Sequence, residues 1–441
     1  MVNTMINHYK STVSSRYKSL LAWLPFNYEP TDWFEPDWMF GLPNKNTSLN
    51  STGQIEGFFD IVIGNPPYID SEMMINIGLE GHRKYIIDNY NYVSGNWDIY
   101  MAFFEKGLNL SKNLLCYITP DKWLSRPFGL KFRQQCMISR MSEILHIGNK
   151  VFENVKVDGV ISLFTLESDK LTAMKFDDNN KVQVINSLLK KDLNSPYLID
   201  FLFSEHFNII KKIEDVSSKK LSDYLLCENA CATSDAYKLV PFIKNKQKFD
   251  NKDDFALINT GTIDKYISKW GKKEITYLGK KYLYPVVNKK KFIDNFGKSY
   301  ISKVKKPKII IKGLNLLDAC VDFKGEILPG KTTLVICNED IDLLKIVCAI
   351  INSKMATFYI KNKYSSSSYC GGITFTKDMF NNFPLPKNII KQSIIKQIEN
   401  IINKKQENIQ ANTVEYEKKI DQIIYELYEL TDEEIAIIES N

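Results

Sequence analysis

Apolar positions along this chain fall into short blocks whose spacing switches between two and three or four. In FFDIVIG (58–64), Phe59, Ile61 and Ile63 alternate with Asp60 and Val62 before Gly64. That spacing of two predicts a mostly buried strand that stops at the glycine. Helical spacing follows from Trp97 to Leu110, a strand at LLCYIT (114–119), a helix from about Gly129 to Ser139, a strand at EILHIG (143–148) and an apolar run at VDGVISLFTL (157–166). Such alternation predicts a doubly wound α/β sheet. Upstream, residues 1–56 hold a short amphipathic helix around Tyr17 to Trp23 and then a polar, aromatic loop, WFEPDWMFGLPNKNTSLNSTG. From about 195 to 386 short strands and helices mix, closed by a turn at FPLP (383–386). Two amphipathic helices follow at roughly 388–409 and 414–429, and Thr431 to Glu434 has the spacing of a capping box for a last short helix. The expected units are therefore 1–56, 57–194, 195–386 and 387–441.

Composition narrows the class. With 441 residues, 44% hydrophobic and 25% charged, the chain has the make-up of a soluble globular protein with room for two domains. No apolar run approaches a bilayer span, and the polar N-terminus MVNTMINHYKSTVSSRYK lacks the apolar core of a signal peptide, so a cytoplasmic protein with no membrane partner is expected. The eight cysteines (116, 136, 227, 231, 320, 337, 348 and 370) sit mostly in apolar runs, which suits reduced core thiols. Cys227 and Cys231 have three residues between them and the chain has 4 histidines, which argues against zinc; no metal is expected.

The net charge of +6 is unevenly placed. Between Lys269 and Lys312, fourteen lysines stand against Glu274 and Asp294, interleaved with Trp270, Tyr277, Tyr282, Tyr284 and Tyr300. Lysines outnumber arginines 53 to 5 throughout, so one reading is a solvated lysine-rich surface. The other is a nucleic-acid face, with Trp270, Lys272, Lys273, Lys280, Lys281, Lys289 and Lys290 as the residues that meet it.

The strand ending at Gly64 runs into Asn65-Pro66-Pro67-Tyr68. Two prolines cannot continue a ladder, and they present bare carbonyls at the strand's C-terminal end, where ligands bind in open α/β sheets. The exocyclic amine of a base is a poor nucleophile because its lone pair is delocalised into the ring. Two acceptors gripping both amine hydrogens localise that pair. Asn65 offers a side-chain carbonyl, Pro66 a rigid backbone carbonyl, and Tyr68 a ring on which a flipped base can stack, worth about 1–3 kcal/mol. The plainer reading is an ordinary Pro-Pro turn.

The Asn-Pro-Pro-Tyr tetrad resembles the signature of amino-methyltransferases, among them the adenine-N6 DNA methyltransferases of bacterial restriction–modification systems. Glutamine methyltransferases of release factors and some RNA base methyltransferases share it. NWDIYMAFFEKGLNLSKNLLCYITPDKWLSRPFGLKFRQ and GNKVFENVKVDGVISLFTL look like the DNA enzymes' later catalytic segments. In TaqI-like members a phenylalanine of the Val-Phe turn stacks on the far face of the flipped adenine, and Phe152 is the matching position; its plainer reading is a core aromatic. CATSDAYKL, INTGTIDKYISKWGKKEITYLGKKYLYPVV, KPKIIIKG, AIINSKMATFYI and FPLP resemble the TaqI-like specificity domain of type IIG enzymes, and IDQIIYELYELTDEEIAIIE resembles their tail.

The resemblance implies a partial Rossmann-like class I methyltransferase domain (strands four to seven), a mixed α+β DNA-recognition domain and C-terminal helices. It also implies S-adenosyl-L-methionine as cofactor. The glycine-rich turn that binds this cofactor is missing: no strand leads into a Gly-x-Gly turn upstream of Asp60. We therefore expect a chain that begins partway through a longer enzyme, with a second polypeptide supplying the cofactor half, or a truncated remnant. A non-catalytic DNA-binding specificity subunit is the main alternative, and an RNA or protein amine methyltransferase a third.

Overall fold

The computed structural model describes residues 57, 59–148, 158–166, 168–177, 179–364, 368–369, 372–389 and 391–441. The expected helix around Tyr17 to Trp23, the loop after it and Phe152 lie outside the described residues.

A six-stranded sheet organises the first part of the chain. Its strands are β1 (Phe59–Gly64), β2 (Ser111–Pro120), β3 (Met141–Gly148), β4 (Gly159–Thr165), β5 (Lys170–Phe176) and β6 (Val182–Leu189), in the order β1-β2-β4-β3-β5-β6. β1 runs parallel to β2, whereas β4 is wedged antiparallel between β2 and β3. β5 is parallel to β3, and β6 returns antiparallel. The strands expected from sequence are present in a mixed sheet, in which β4 and β6 run antiparallel to their neighbours. Residue alternation reports that a strand is buried and says nothing of its direction.

β1 corrects an expectation. Ile61 is 58% and Ile63 77% exposed, while Val62 packs against the core. The face that carries the alternating isoleucines is therefore not the covered one, and among the described residues β1 has β2 as its only strand neighbour.

Between β1 and β2 lie α1 (Ser71–Asn76), α2 (Glu80–Asn89) and α3 (Tyr100–Leu110). Asp70 starts α1 by accepting the amides of Glu72 and Met73 at 3.0 and 2.7 Å. α3 buries Phe104, whose ring stacks on Phe132 at 4.6 Å and meets Trp123 and Phe164 edge-on. Gly64 and Gly107 flank buried Tyr117: a β-carbon at Gly64 would come within 2.9 Å of its ring.

Beyond β6, one antiparallel sheet joins Cys227–Asn229, Lys308–Lys312, Ala319–Asp322 and Thr333–Cys337. Ile309, Ile310 and Ile311 are all buried, so both faces of its central strand are covered. A second sheet, of Ile243–Asn245, Asp254–Ile258, Pro285–Asn288 and Ile327–Pro329, has its own core around Phe255, Leu257, Val287 and Phe292. The helices Gln392–Glu407, Val414–Leu427 and Asp432–Ser440 instead join the core that contains α3 and β2. Thr431 and Glu434 form the expected capping box. FPLP is more than a turn: Pro384–Leu385 pairs with Lys219–Lys220, and the Tyr428 hydroxyl donates to the Pro384 carbonyl at 2.8 Å.

No single helix among the described residues is long and apolar enough to cross a membrane.

Candidate active site

The tetrad leaves the sheet at the C-terminal end of β1, beside the end of β2. Asn65 and Pro67 are exposed, Pro66 is buried and Tyr68 is half-buried. The Tyr68 hydroxyl lies 2.8 Å from Asn65 Oδ1 and 3.4 Å from the Ile118 carbonyl of β2. Donation to Oδ1 orients the Asn65 carboxamide and leaves that oxygen a second lone pair. The Tyr68 ring meets Tyr100 edge-on, with centroids 6.5 Å apart.

A second segment holds this turn in place. Asp98 accepts the Ile69 amide at 3.0 Å, the Ile99 amide donates to the Ile69 carbonyl at 3.0 Å, and the Ser71 amide donates to the Trp97 carbonyl at 2.8 Å. The chain on the far side of Tyr68 is thus stitched to the start of α3. Burial pushes the Asp98 carboxyl up to about 6; the amides of Ile69 and Tyr100 oppose this, the charge of Asp70 adds to it, and Lys122 opposes it. Burial, then Asp98, raises the Tyr68 phenol, which therefore stays a neutral donor. Asp98 was not singled out from sequence. Its signal was present in NWDIY, where a polar residue sits just ahead of an apolar helix, but its contact with Ile69 spans 29 positions.

Most of the lysine-rich stretch stays exposed on folding. Lys272, Lys273, Lys280, Lys281 and Lys290 are exposed, and Lys289 is half-buried. Lys280 and Lys281 lie on a two-stranded hairpin, Ile275–Tyr277 with Lys280–Tyr282, turned by Leu278 and Gly279 at φ 44° and 86°. Other lysines are committed within the fold: Lys308 pairs with Asp322 at 2.5 Å with both side chains buried, Lys312 pairs with Asp318, Lys303 with Glu228 and Lys269 with Asp264. The aromatics also differ from expectation. Tyr277 and Tyr300 are core residues whose hydroxyls donate to the carbonyls of Ala236 and Pro329. Trp270 is half-buried, donates its indole N–H to the Pro285 carbonyl at 2.8 Å and packs against Phe249 and Tyr284. Spacing along the chain marked these rings as apolar and could not mark which way they face.

The sequence resemblance implies S-adenosylmethionine as cofactor. Among the described residues no strand leads into a Gly-x-Gly turn beside β1, and β2 is the only strand that pairs with β1. The described residues do not by themselves cradle that cofactor.

Residues 14–152 match the family model of the Eco57I restriction-modification methylase. Among curated relatives, the chain is similar to the type II methyltransferase M.PaeR7I of Pseudomonas aeruginosa, 32% identical over 77 residues, which is 17% of this chain and 13% of that one. It is also similar to the type II restriction enzyme and methyltransferase RM.Eco57I of Escherichia coli, 25% identical over 169 residues, 36% of this chain and 16% of that one. Of solved structures, the type IIL restriction-modification enzyme MmeI, determined in complex with DNA, shares the fold at a TM-score of 0.51 and 11% identity over 85% of this chain and 55% of its own. The matches thus take in a small part of the curated relatives' length and about half of MmeI's.

Proposed function

We propose that the chain is the methyl-acceptor and DNA-recognition part of a site-specific DNA methyltransferase of the restriction–modification kind, acting on the N6 amine of adenine. The observation that carries this is the Asn65–Tyr68 turn at the C-terminal end of β1, with the Tyr68 hydroxyl set on Asn65 Oδ1. The similarity of residues 14–152 to a restriction–modification methylase family supports it.

In this reading Asn65 Oδ1 and the Pro66 carbonyl accept the two amine hydrogens, drawing the lone pair out of the ring. Tyr68 stacks on one face of the flipped adenine, and Phe152, by the resemblance, on the other. Asp98 positions the turn. The order β1-β2-β4-β3, with β4 antiparallel, agrees with strands four, five, seven and six of the class I methyltransferase sheet. The methyl donor, S-adenosylmethionine, is then held outside the described residues, by a second polypeptide or another segment. The region from about 195 to 386 reads double-stranded DNA, with Lys272, Lys273, Lys280, Lys281 and Lys290 on phosphates. A specificity subunit that binds DNA without chemistry is the second reading, favoured by the absence, among the described residues, of a glycine-rich turn beside β1.

The test is Asn65→Ala in the chain supplied with a cofactor-binding partner. Methyl transfer falls by about a hundredfold or more while duplex binding is kept, because the contact strengthens as the amine becomes nucleophilic. Transfer near the wild-type rate refutes the role. No transfer by the reconstituted wild type, with specific DNA binding retained, selects the specificity subunit.

A further inference from the structure

A second cluster lies on the same sheet, apart from the acceptor turn. Asp121 directly follows β2, His146 lies near the end of β3 and Asp158 directly precedes β4, and these three strands are neighbours in the order β2-β4-β3. The Asp121 amide donates to the Asp158 carbonyl at 3.0 Å, locking two of the strand ends together. One ligand atom from each of Asp121, His146 and Asp158 lies within 4.8 Å of the other two. The three side chains open onto a cavity of about 370 Å³, which Asp200, Glu205 and Lys175 also line. Its wall therefore holds four carboxyl groups and one ammonium, and Lys175 Nζ is turned to the Phe203 carbonyl at 2.6 Å.

We propose that Asp121, His146 and Asp158 form a site for one divalent transition-metal ion of the Mn²⁺ or Zn²⁺ class. The donor set is one imidazole nitrogen and two carboxylate oxygens from separate strand ends. Three protein ligands leave positions for water in the cavity, and the imidazole favours Mn²⁺ or Zn²⁺ over Mg²⁺ or Ca²⁺, which take all-oxygen shells. The bound ion would cross-link the ends of β2, β3 and β4. The sequence expectation of no metal is replaced by this proposal. It was reached from histidine and cysteine spacing, and here three single residues meet only because the sheet brings their strand ends together. The proposal is independent of the acceptor turn.

The full chain, stripped with a chelator, is titrated with Mn²⁺ followed by electron paramagnetic resonance and with Zn²⁺ followed by calorimetry. One equivalent of either ion binds, and the unfolding temperature rises with its concentration. His146→Ala and Asp158→Asn each weaken binding by about tenfold or more. Glu80→Gln, an exposed carboxylate elsewhere, leaves it unchanged. Asp158 is exposed and its exchange for asparagine keeps the shape, so this variant stays folded by circular dichroism. Absence of stoichiometric binding of both ions to the wild type, or wild-type affinity in either folded variant, overturns the site.

Discussion

Replacing Lys280, Lys281, Lys289 and Lys290 together by glutamine tests how much of the lysine-rich stretch meets DNA. Each neutralised phosphate contributes ~0.9 to the slope of log affinity against log salt, so four contacts would lower it by ~3.6. The fold argues for fewer. Lys289 is committed, its ammonium donating to the Asn251 carbonyl and lying 5.0 Å above the Phe255 ring. Lys281 pairs with Glu274 at 3.3 Å, but that pair is exposed and worth little, so a phosphate can replace the glutamate. Three available ammoniums predict a slope lower by ~2.7, which makes the affinity lost between 50 and 200 mM salt about 40-fold smaller than in the wild type. Fluorescence anisotropy with a labelled duplex measures this on the chain alone. The control Lys418→Gln/Lys419→Gln, on the exposed side of the helix Val414–Leu427, keeps the wild-type slope. An unchanged slope in the quadruple variant refutes the reasoning and returns the hairpin to a solvated surface.

Three further outcomes follow from the geometry. Tyr68→Phe keeps the ring and loses the 2.8 Å hydrogen bond to Asn65, so transfer by the reconstituted enzyme falls modestly, by about 2- to 10-fold; Tyr68→Ala also loses stacking, by about 1–3 kcal/mol, and a fluorescent base analogue at the target reports less flipping. Equal effects of the two substitutions would falsify the stacking role. Asp98, raised from the ordinary 3.8 to about 6, holds its proton better folded than unfolded, so its contribution to stability is complete below about pH 4 and is lost as pH rises through about 6. Asp98→Asn removes that dependence, a difference of at most about 3 kcal/mol and less for the part of Asp98 that water reaches, read as the gap between wild-type and variant urea midpoints at pH 4 and pH 7. Lys308→Met strands the buried Asp322 carboxylate and costs about 3–5 kcal/mol in urea unfolding, with no change in the salt slope; a loss under 1 kcal/mol contradicts the buried pair.

Local signals determined a good deal by themselves. The strand ending at Gly64, the strands at 114–119 and 143–148, the helix before β2 and the capping box at Thr431 all rest on interactions between near neighbours, which periodicity and capping chemistry encode. The Asn65–Tyr68 turn was legible for the same reason, since two prolines after a strand stop it wherever it folds. What the sequence could not determine is what lies across a gap. Strand direction, and so the wedge of β4 between β2 and β3, depends on partners far apart in the chain. The exposure of Ile61 and Ile63 depends on which side of β1 is covered, which their alternation cannot state. Of fourteen lysines close in sequence nine stay exposed, while Lys308, Lys312 and Lys303 are drawn into ion pairs because Asp322, Asp318 and Glu228 arrive from elsewhere in the chain. Asp98 on the turn, and Asp121 with His146 and Asp158, are single polar residues with no spacing to mark them. Tertiary structure alone brings them together, because side-chain chemistry acts over a few ångströms while the chain distance between its partners is unconstrained.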